Sequence, residues 1–390
     1  MARWLVKGEG VELVTESLLS GEVRQRRIEL ALTFLERSFR ACPDGGSSAY
    51  HSRLRHPVSG WAPSYPETTG YIVPTLYRLP TEVGVVRTHE IADRAVDWLC
   101  AIQRPDGSFP GGVTGSPAYS EPSVFNTGQI IQGLVAAHHA RGNEAALEAA
   151  KRAADWLSQV FSTETRSWLL YAYKDGFSPT YYTRVAWPML QVSAVTGDDS
   201  IQETAISALD ELALRVNSNH TFRDWGFTAS TPAFTHTISY TLEGFLGAYR
   251  LLGDSHVRYR DLAQKTAYEL LWRMELAGGI GGAYDENWRP AGWFQCLTGN
   301  CQLASVWLGL AIELDDLRYL NAAFKVLHPA LKSQRSSWMA GSARGSIPGS
   351  RPRFGRYLTM RSPNWAAKFF VDALLDLEET LSSLGVKGRA

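Results

Sequence analysis

Six carboxylates fall in segments rich in Gly, Pro and aromatic residues: Glu67, Glu121, Asp175, Asp224, Asp285 and Glu286. Residues of this type suit glycosidic hydrolysis, which needs two carboxyl groups flanking one bond. Glu67 follows Trp61 and Tyr65 in GWAPSYPETTGY, and Glu121 stands five residues before Asn126. Asp285 lies in GGAYDENW, where glycines permit close ligand approach and Trp288 can stack on a sugar ring. A second chemistry, removal of a uronate C5 proton by a lyase or epimerase, needs a base and a cation on the carboxylate. His236 and Tyr240 are spaced i, i+4, on one helix face, and either can serve as base. Arginines and amides would hold the carboxylate. We therefore expect Glu67, Glu121, His236, Tyr240 and Asp285 to be catalytic. We expect Trp61, Tyr65, Asn126, Gln129, Tyr182, Arg184, Trp225, Trp288, Trp293, Asn300, Arg356 and Asn364 to bind substrate. Several have a structural alternative: Glu67 as a helix-start carboxylate, Asn126 and Asn300 as helix caps, and His236 bonded to backbone. Lys368 and Asp372, i, i+4 on an apolar segment, are expected to pair with each other.

These residues sit at repeating positions. Segments beginning at Thr68, Asn126, Tyr182, His236, Leu297 and Ser362 share a polar start followed by an apolar run with helical spacing. Aligned on Thr69, Thr127, Thr183, Thr237, Thr298 and Ser362, they step by 58, 56, 54, 61 and 64 residues. Before each lies an amphipathic helical pattern, such as EIADRAVDWLCAIQ, with apolar residues at i, i+3, i+4 and i+7. A helix apolar nearly all round belongs inside, and an amphipathic one outside. The chain should therefore be all-α, an (α/α)6 toroid of six inner and six outer helices. Inner-to-outer links such as TGDDS are short, whereas outer-to-inner links are long and carry Gly, Pro and aromatics. The long loops then share one rim with the N-termini of the inner helices, whose free N–H groups favour anionic or hydroxyl oxygens. A binding funnel is expected at that rim. Residues 1–390 are read as one catalytic domain with an N-terminal extension over 1–25. Asp198-Asp199 and Asp315-Asp316 sit in the short turns and read as helix caps.

Two resemblances follow from these segments. WLCAIQRPDGSF, with Gln103 and Asp106-Gly107-Ser108-Phe109, resembles the QW-type repeat of squalene cyclases and protein prenyltransferases. The hairpin count, the polar aromatic loops, and the segments SYPETTGY, VFNTGQ and PNWAAKFF resemble the (α/α)6 toroids of glycoside hydrolases, polysaccharide lyases and sugar epimerases. The second resemblance implies an enzyme that cleaves or epimerises an oligo- or polysaccharide. The first implies isoprenoid cyclisation or transfer, but the chain has no DxDD acid motif and no Asp-x-Cys zinc set. A non-catalytic glycan-binding toroid is the third reading.

Composition narrows the partners. Lys+Arg and Asp+Glu are both 39, so the basic excess of a nucleic-acid binder is absent. No run of 18 apolar residues predicts a membrane span, and MARWLVKGEGVELVTESLL does not read as a signal peptide. Four cysteines without a CxxC pair predict neither a zinc site nor a disulfide framework, so no metal or cofactor is expected and the cytoplasm is the expected compartment. The 13 Trp, 16 Tyr and 15 Phe supply stacking surfaces for an oligo- or polysaccharide. Trp168, Trp225, Trp288 and Trp293 in loops are the candidates, while Trp187 and Trp307 lie within helices and read as core or pocket wall.

Overall fold

The computed structural model describes Leu18 and residues 20–385; most of the proposed N-terminal extension lies outside them. Twelve α-helices alternate between two rings among the described residues. The outer ring is α1 (Gly21–Arg40), α3 (Thr88–Ile102), α5 (Glu144–Gln159), α7 (Asp199–Ala213), α9 (Val257–Ala277) and α11 (Leu317–Ser333). The inner ring is α2 (Pro66–Tyr77), α4 (Val124–Arg141), α6 (Thr183–Thr196), α8 (Thr235–Leu252), α10 (Leu297–Leu314) and α12 (Asn364–Ser383). Each inner helix packs on the next, and α12 returns to α2, so the ring closes as the repeat requires.

The repeated Thr-Gly dipeptide has a physical reason. Thr69 Oγ1 accepts the backbone N–H of Ser47 at 2.9 Å, and Thr127 Oγ1 accepts that of Phe109 at 3.0 Å. Each threonine thus ties the start of an inner helix to the loop that precedes it. The glycine beside it lets a neighbouring inner helix approach. A Cβ on Gly70 would stand 2.6 Å from Ile130 Cα, one on Gly128 2.9 Å from Val185 Cα, and one on Gly299 2.5 Å from the His236 nitrogen.

The rim loops are stapled at the same level. Tyr50–His51 pairs with Ser362–Pro363, Ala233–Phe234 with Ala283–Tyr284, and Gln295–Cys296 with Ser350–Arg351, all antiparallel. Three inner helices therefore begin directly from a two-residue ladder. At the opposite rim the turns are short and capped: Asp198 accepts from Ser200 and Ile201 N–H, and Asp316 from Arg318 N–H. Asp315 instead ends α10 in the left-handed conformation.

The QW-like segment is a brace. Gln103 Nε2 donates to Gly107 O at 3.0 Å and Ala149 O at 2.8 Å, linking α3 to α5. Asp106 holds the turn by accepting from Ser108 N and Oγ. The resemblance marks how two outer helices are joined, and no isoprenoid chemistry follows from it.

Candidate functional site

The inner helices surround an axial bore, and polar side chains from all six reach into it. On α8 the residues His236, Tyr240 and Glu243 follow at i, i+4 and i+7, which is one face of a helix. That face meets Gln302 of α10. Gln302 Oε1 takes the Nδ1–H of His236 at 2.5 Å, and Gln302 Nε2 donates to Glu243 at 3.3 Å. A carbonyl oxygen only accepts, so His236 holds its proton on Nδ1 and leaves Nε2 unprotonated, among the rings of Tyr240, Tyr357 and Phe369. Glu243 is next gripped by Arg184 of α6, Nη1 to Oε2 at 3.2 Å. Arg184 Nε donates to Gln129 Oε1 at 3.3 Å, and Gln129 Nε2 returns a bond to Arg184 O at 2.7 Å. The guanidinium also lies over the rings of Tyr240 and Trp187, 5.1 Å from each centroid. On α12, Lys368 and Asp372 pair at 2.6 Å as their spacing suggested, and Thr75 donates to Asp372 at 2.7 Å.

Glu67 opens α2 behind Pro66 and is 8% exposed. Tyr65 donates to its Oε2. Burial raises its carboxyl from the ordinary 4.5 to about 7, against the opposing pull of the Tyr65 hydrogen bond and the Arg184 charge. Burial also raises Glu243, opposed first by Arg184 and then by Lys368. Arg184 therefore acts on two carboxylates at once. Glu67, beside a phenol, is poised to carry a proton near neutrality, whereas Glu243 has a cation in contact. Burial lowers His236 to about 3, so it is neutral in the ordinary pH range. Burial pushes the Tyr240 phenol well above its ordinary value, with Glu67 adding to the effect. A phenol held so firmly protonated is a poor base for proton abstraction.

The structure thus brings Glu67, Tyr65, His236, Tyr240, Gln129 and Arg184 together with Gln302, a polar group at the start of α10 that the sequence also offers, and adds Glu243, which the sequence reading did not single out. The i, i+4, i+7 spacing of His236, Tyr240 and Glu243 was the available signal. Their surroundings divide along the axis. Toward the long-loop rim the walls are aromatic: Tyr65 stands 6.3 Å from Trp365, and Phe125 stacks on Tyr182 at 5.9 Å. Toward the short-turn rim lies a cavity of about 500 Å³ that includes Arg184, Glu243, Lys368 and Asp372 in its walls. Its mouth is formed at the C-terminal ends of the inner helices, where Arg78 is 40% and Glu379 70% exposed. The catalytic candidates thus lie toward the long-loop rim, where the sequence places a funnel, and a further axial cavity opens at the other end.

Other expected site residues are placed elsewhere. Glu121 is exposed on its loop. Asp285 is occupied by its own turn, where Oδ1 accepts from Asn287 N and Arg289 N at 2.8 Å each. Trp225 and Trp288 are 1% and 2% exposed and meet edge to face at 5.3 Å, with Trp288 Nε1 bonded to Asn219 O, so they pack and cannot present a face to a sugar. Trp168 is buried likewise, bonded to Leu157 O. Asn126 braces a loop through Pro110 O, and Ser123 rather than Asn126 caps α4. Tyr182 accepts from Tyr173 N, and Asn364 donates to Ser47 and Thr68. Asn300 faces away from the bore. Trp61 packs half-buried, 5.2 Å from Phe34. Arg356 is exposed, as is Trp293, whose ring meets Phe354 at 6.1 Å. Among the described residues, no cluster of three His, Cys, Asp or Glu is placed to hold a metal ion.

With this geometry in hand, residues 84–291 match the family model of the β-L-arabinofuranosidase GH127 catalytic domain. The chain belongs to that family. This GH127-family protein is a carbohydrate-active enzyme of the glycoside hydrolase type. A search of curated protein sequences finds no match. Among solved structures, the fold is similar to an unsaturated glucuronyl hydrolase specific for heparin, at 13% identity and TM-score 0.71, covering 94% of this chain and 100% of that one. It is also similar to cellobiose 2-epimerase from Bacillus thermoamylovorans, at 12% identity and TM-score 0.68, covering 94% and 99%. Unsaturated glucuronyl hydrolase from Streptococcus agalactiae matches at 14% identity and TM-score 0.65, covering 96% and 98%. At such identities the likeness is one of fold, and the toroid is the shared feature. No helix among the described residues is long and apolar enough to cross a membrane.

Proposed function

We propose that this GH127-family protein hydrolyses a glycosidic bond of an oligo- or polysaccharide with Glu67 as general acid and Glu243 as the second carboxylate. The observation that carries this reading is the pair of buried carboxyls sharing Arg184, with Glu67 raised to about 7. Two carboxyl groups in different environments divide into a proton donor and an ionised partner. Arg184, in contact with Glu243, opposes the upward pull of burial on that carboxyl and favours its ionised form, while the Tyr65 phenol orients Glu67. Gln302 and His236 fix the rest of the wall. The family model makes a β-L-arabinofuranoside the first substrate to try. Exposed Trp293 and Phe354 at the long-loop rim suit the outer units of a longer glycan. The four free cysteines fit a reducing compartment such as the cytoplasm.

The test is leaving-group dependence. Aryl glycosides, β-L-arabinofuranosides first, are assayed with wild type, Glu67→Gln and Glu243→Gln. A general acid is dispensable when the leaving group departs unaided. Glu67→Gln should lose activity on poor leaving groups and retain it on dinitrophenyl glycosides, while Glu243→Gln loses both. Equal loss on both substrates in Glu67→Gln, or normal turnover in either variant, would overturn the assignment.

A further inference from the structure

Inner helices turn one face to the bore and the other to the outer ring. Asn300 places a polar amide on the outward face of α10. It precedes Gln302 by two residues, about 200° around the helix, so it points away from the bore. Its side chain is 0% exposed, and neither Oδ1 nor Nδ2 has a hydrogen-bond partner. A buried amide unpaired at both ends is rare in a native fold and calls for an occupant.

Asn300 lines a cavity of about 260 Å³ between the end of α9, the first turn of α10, and α11. From α11, His328 faces the same space, and its Nε2 is also buried without a partner. Gln295 adds a second amide from the ladder preceding α10, and Gly278-Gly279 leave the wall without side chains. Charge at the wall is already paired, Lys325 to Glu275 at 2.7 Å.

We propose that this cavity is a second ligand site, distinct from the bore, for a single neutral sugar or polyol. The Asn300 amide offers donors and an acceptor in one fixed plane, and the imidazole of His328 offers one more polar atom across the space. Hydroxyls on adjacent carbons both donate and accept, so they can satisfy this mixed set, which a carboxylate or an ammonium group cannot. Burial, then Lys332 and Arg351, lower the His328 pKa, which keeps it neutral and consistent with an uncharged ligand. The volume suits one ring and excludes a chain.

Saturation-transfer NMR and thermal-shift measurements on the full chain, with L-arabinose, D-glucose, D-galactose and glycerol as probes, test this. Binding of at least one probe is expected, weakened by about tenfold or more in Asn300→Leu and in His328→Phe, and unchanged in Glu67→Gln. Glu67→Gln separates this site from the catalytic reading, since a probe bound in the bore would respond to that variant. Asn300→Leu should fold with raised Tm, because it removes the unpaired amide; if it does not fold, His328→Phe carries the comparison. Absence of binding by every probe, or binding indifferent to both variants, would reduce the cavity to a water-filled void and overturn the proposal.

Discussion

Arg184 of α6 lies 3.2 Å from the Glu243 carboxylate of α8 and acts through space on Glu67 of α2 as well. One cation from a third helix therefore opposes the effect of burial on two acids from different helices. That relationship makes the bore a chemical device and not merely a polar hole, and it yields distinct expectations.

Stability should fall as pH rises through the range where Glu67 ionises in the folded protein. Its carboxyl is raised from 4.5 to about 7, so the native state holds a proton that the unfolded chain has already released. The stabilisation is complete below about 4.5 and is lost as pH climbs through about 7. The full difference is on the order of 3 kcal/mol. Denaturant titrations of wild type and Glu67→Gln between these limits should show this slope in wild type and its disappearance in the variant.

Catalysis should share the same alkaline limb. If Glu67 must donate its proton, kcat/KM declines above pH 7, where that proton is lost. His236 adds no acid limb in the usual range, because burial holds it near 3. A pH–rate profile on a substrate with a poor leaving group should bend near neutrality, and the bend should weaken on a substrate with a good one.

Removing Arg184 should cost more than removing the pair. Arg184→Met leaves Glu243 buried opposite no contacting cation, which destabilises by about 3–5 kcal/mol, whereas Arg184→Met with Glu243→Leu should recover most of that. Thermal and urea unfolding of the single and double variants measures the coupling. Equal losses in both would mean that the ion pair is not the source.

Trp293 and Phe354 are exposed by 82% and 63% and meet edge to face on the long-loop rim. Replacing both with Ala should leave kcat on an aryl monoglycoside unchanged and raise KM for a polymeric substrate by about threefold to tenfold. An unchanged KM on polymer would remove this surface from substrate binding.

The architecture was legible because its cause is written in every repeat. Amphipathic stripes mark the outer helices, and Thr69-Gly70, Thr127-Gly128 and Thr298-Gly299 mark the places where inner helices meet loops and each other. Glu67, His236, Tyr240 and Arg184 were legible as polar groups at the starts of apolar helices. Glu243 was missed although its spacing from His236 and Tyr240 puts it on the same helix face, because a single acid deep in an apolar run draws attention only once Arg184 is known to stand opposite. Trp225 and Trp288 were misread because loop sequence does not reveal whether a loop folds outward or back into the ring. Asn300 and Gln302 look equivalent in sequence, yet a two-residue offset sends one to the outer layer and the other to the bore.

The glycines at the helix crossings carry a consequence for engineering. Gly70, Gly128 and Gly299 set how closely neighbouring inner helices approach, as the staves of a cask set its girth. The calibre of the channel is therefore decided at the seams and not by the side chains that face into it. Selection for bulkier or slimmer sugars can act on these seams while every group that touches the sugar keeps its identity.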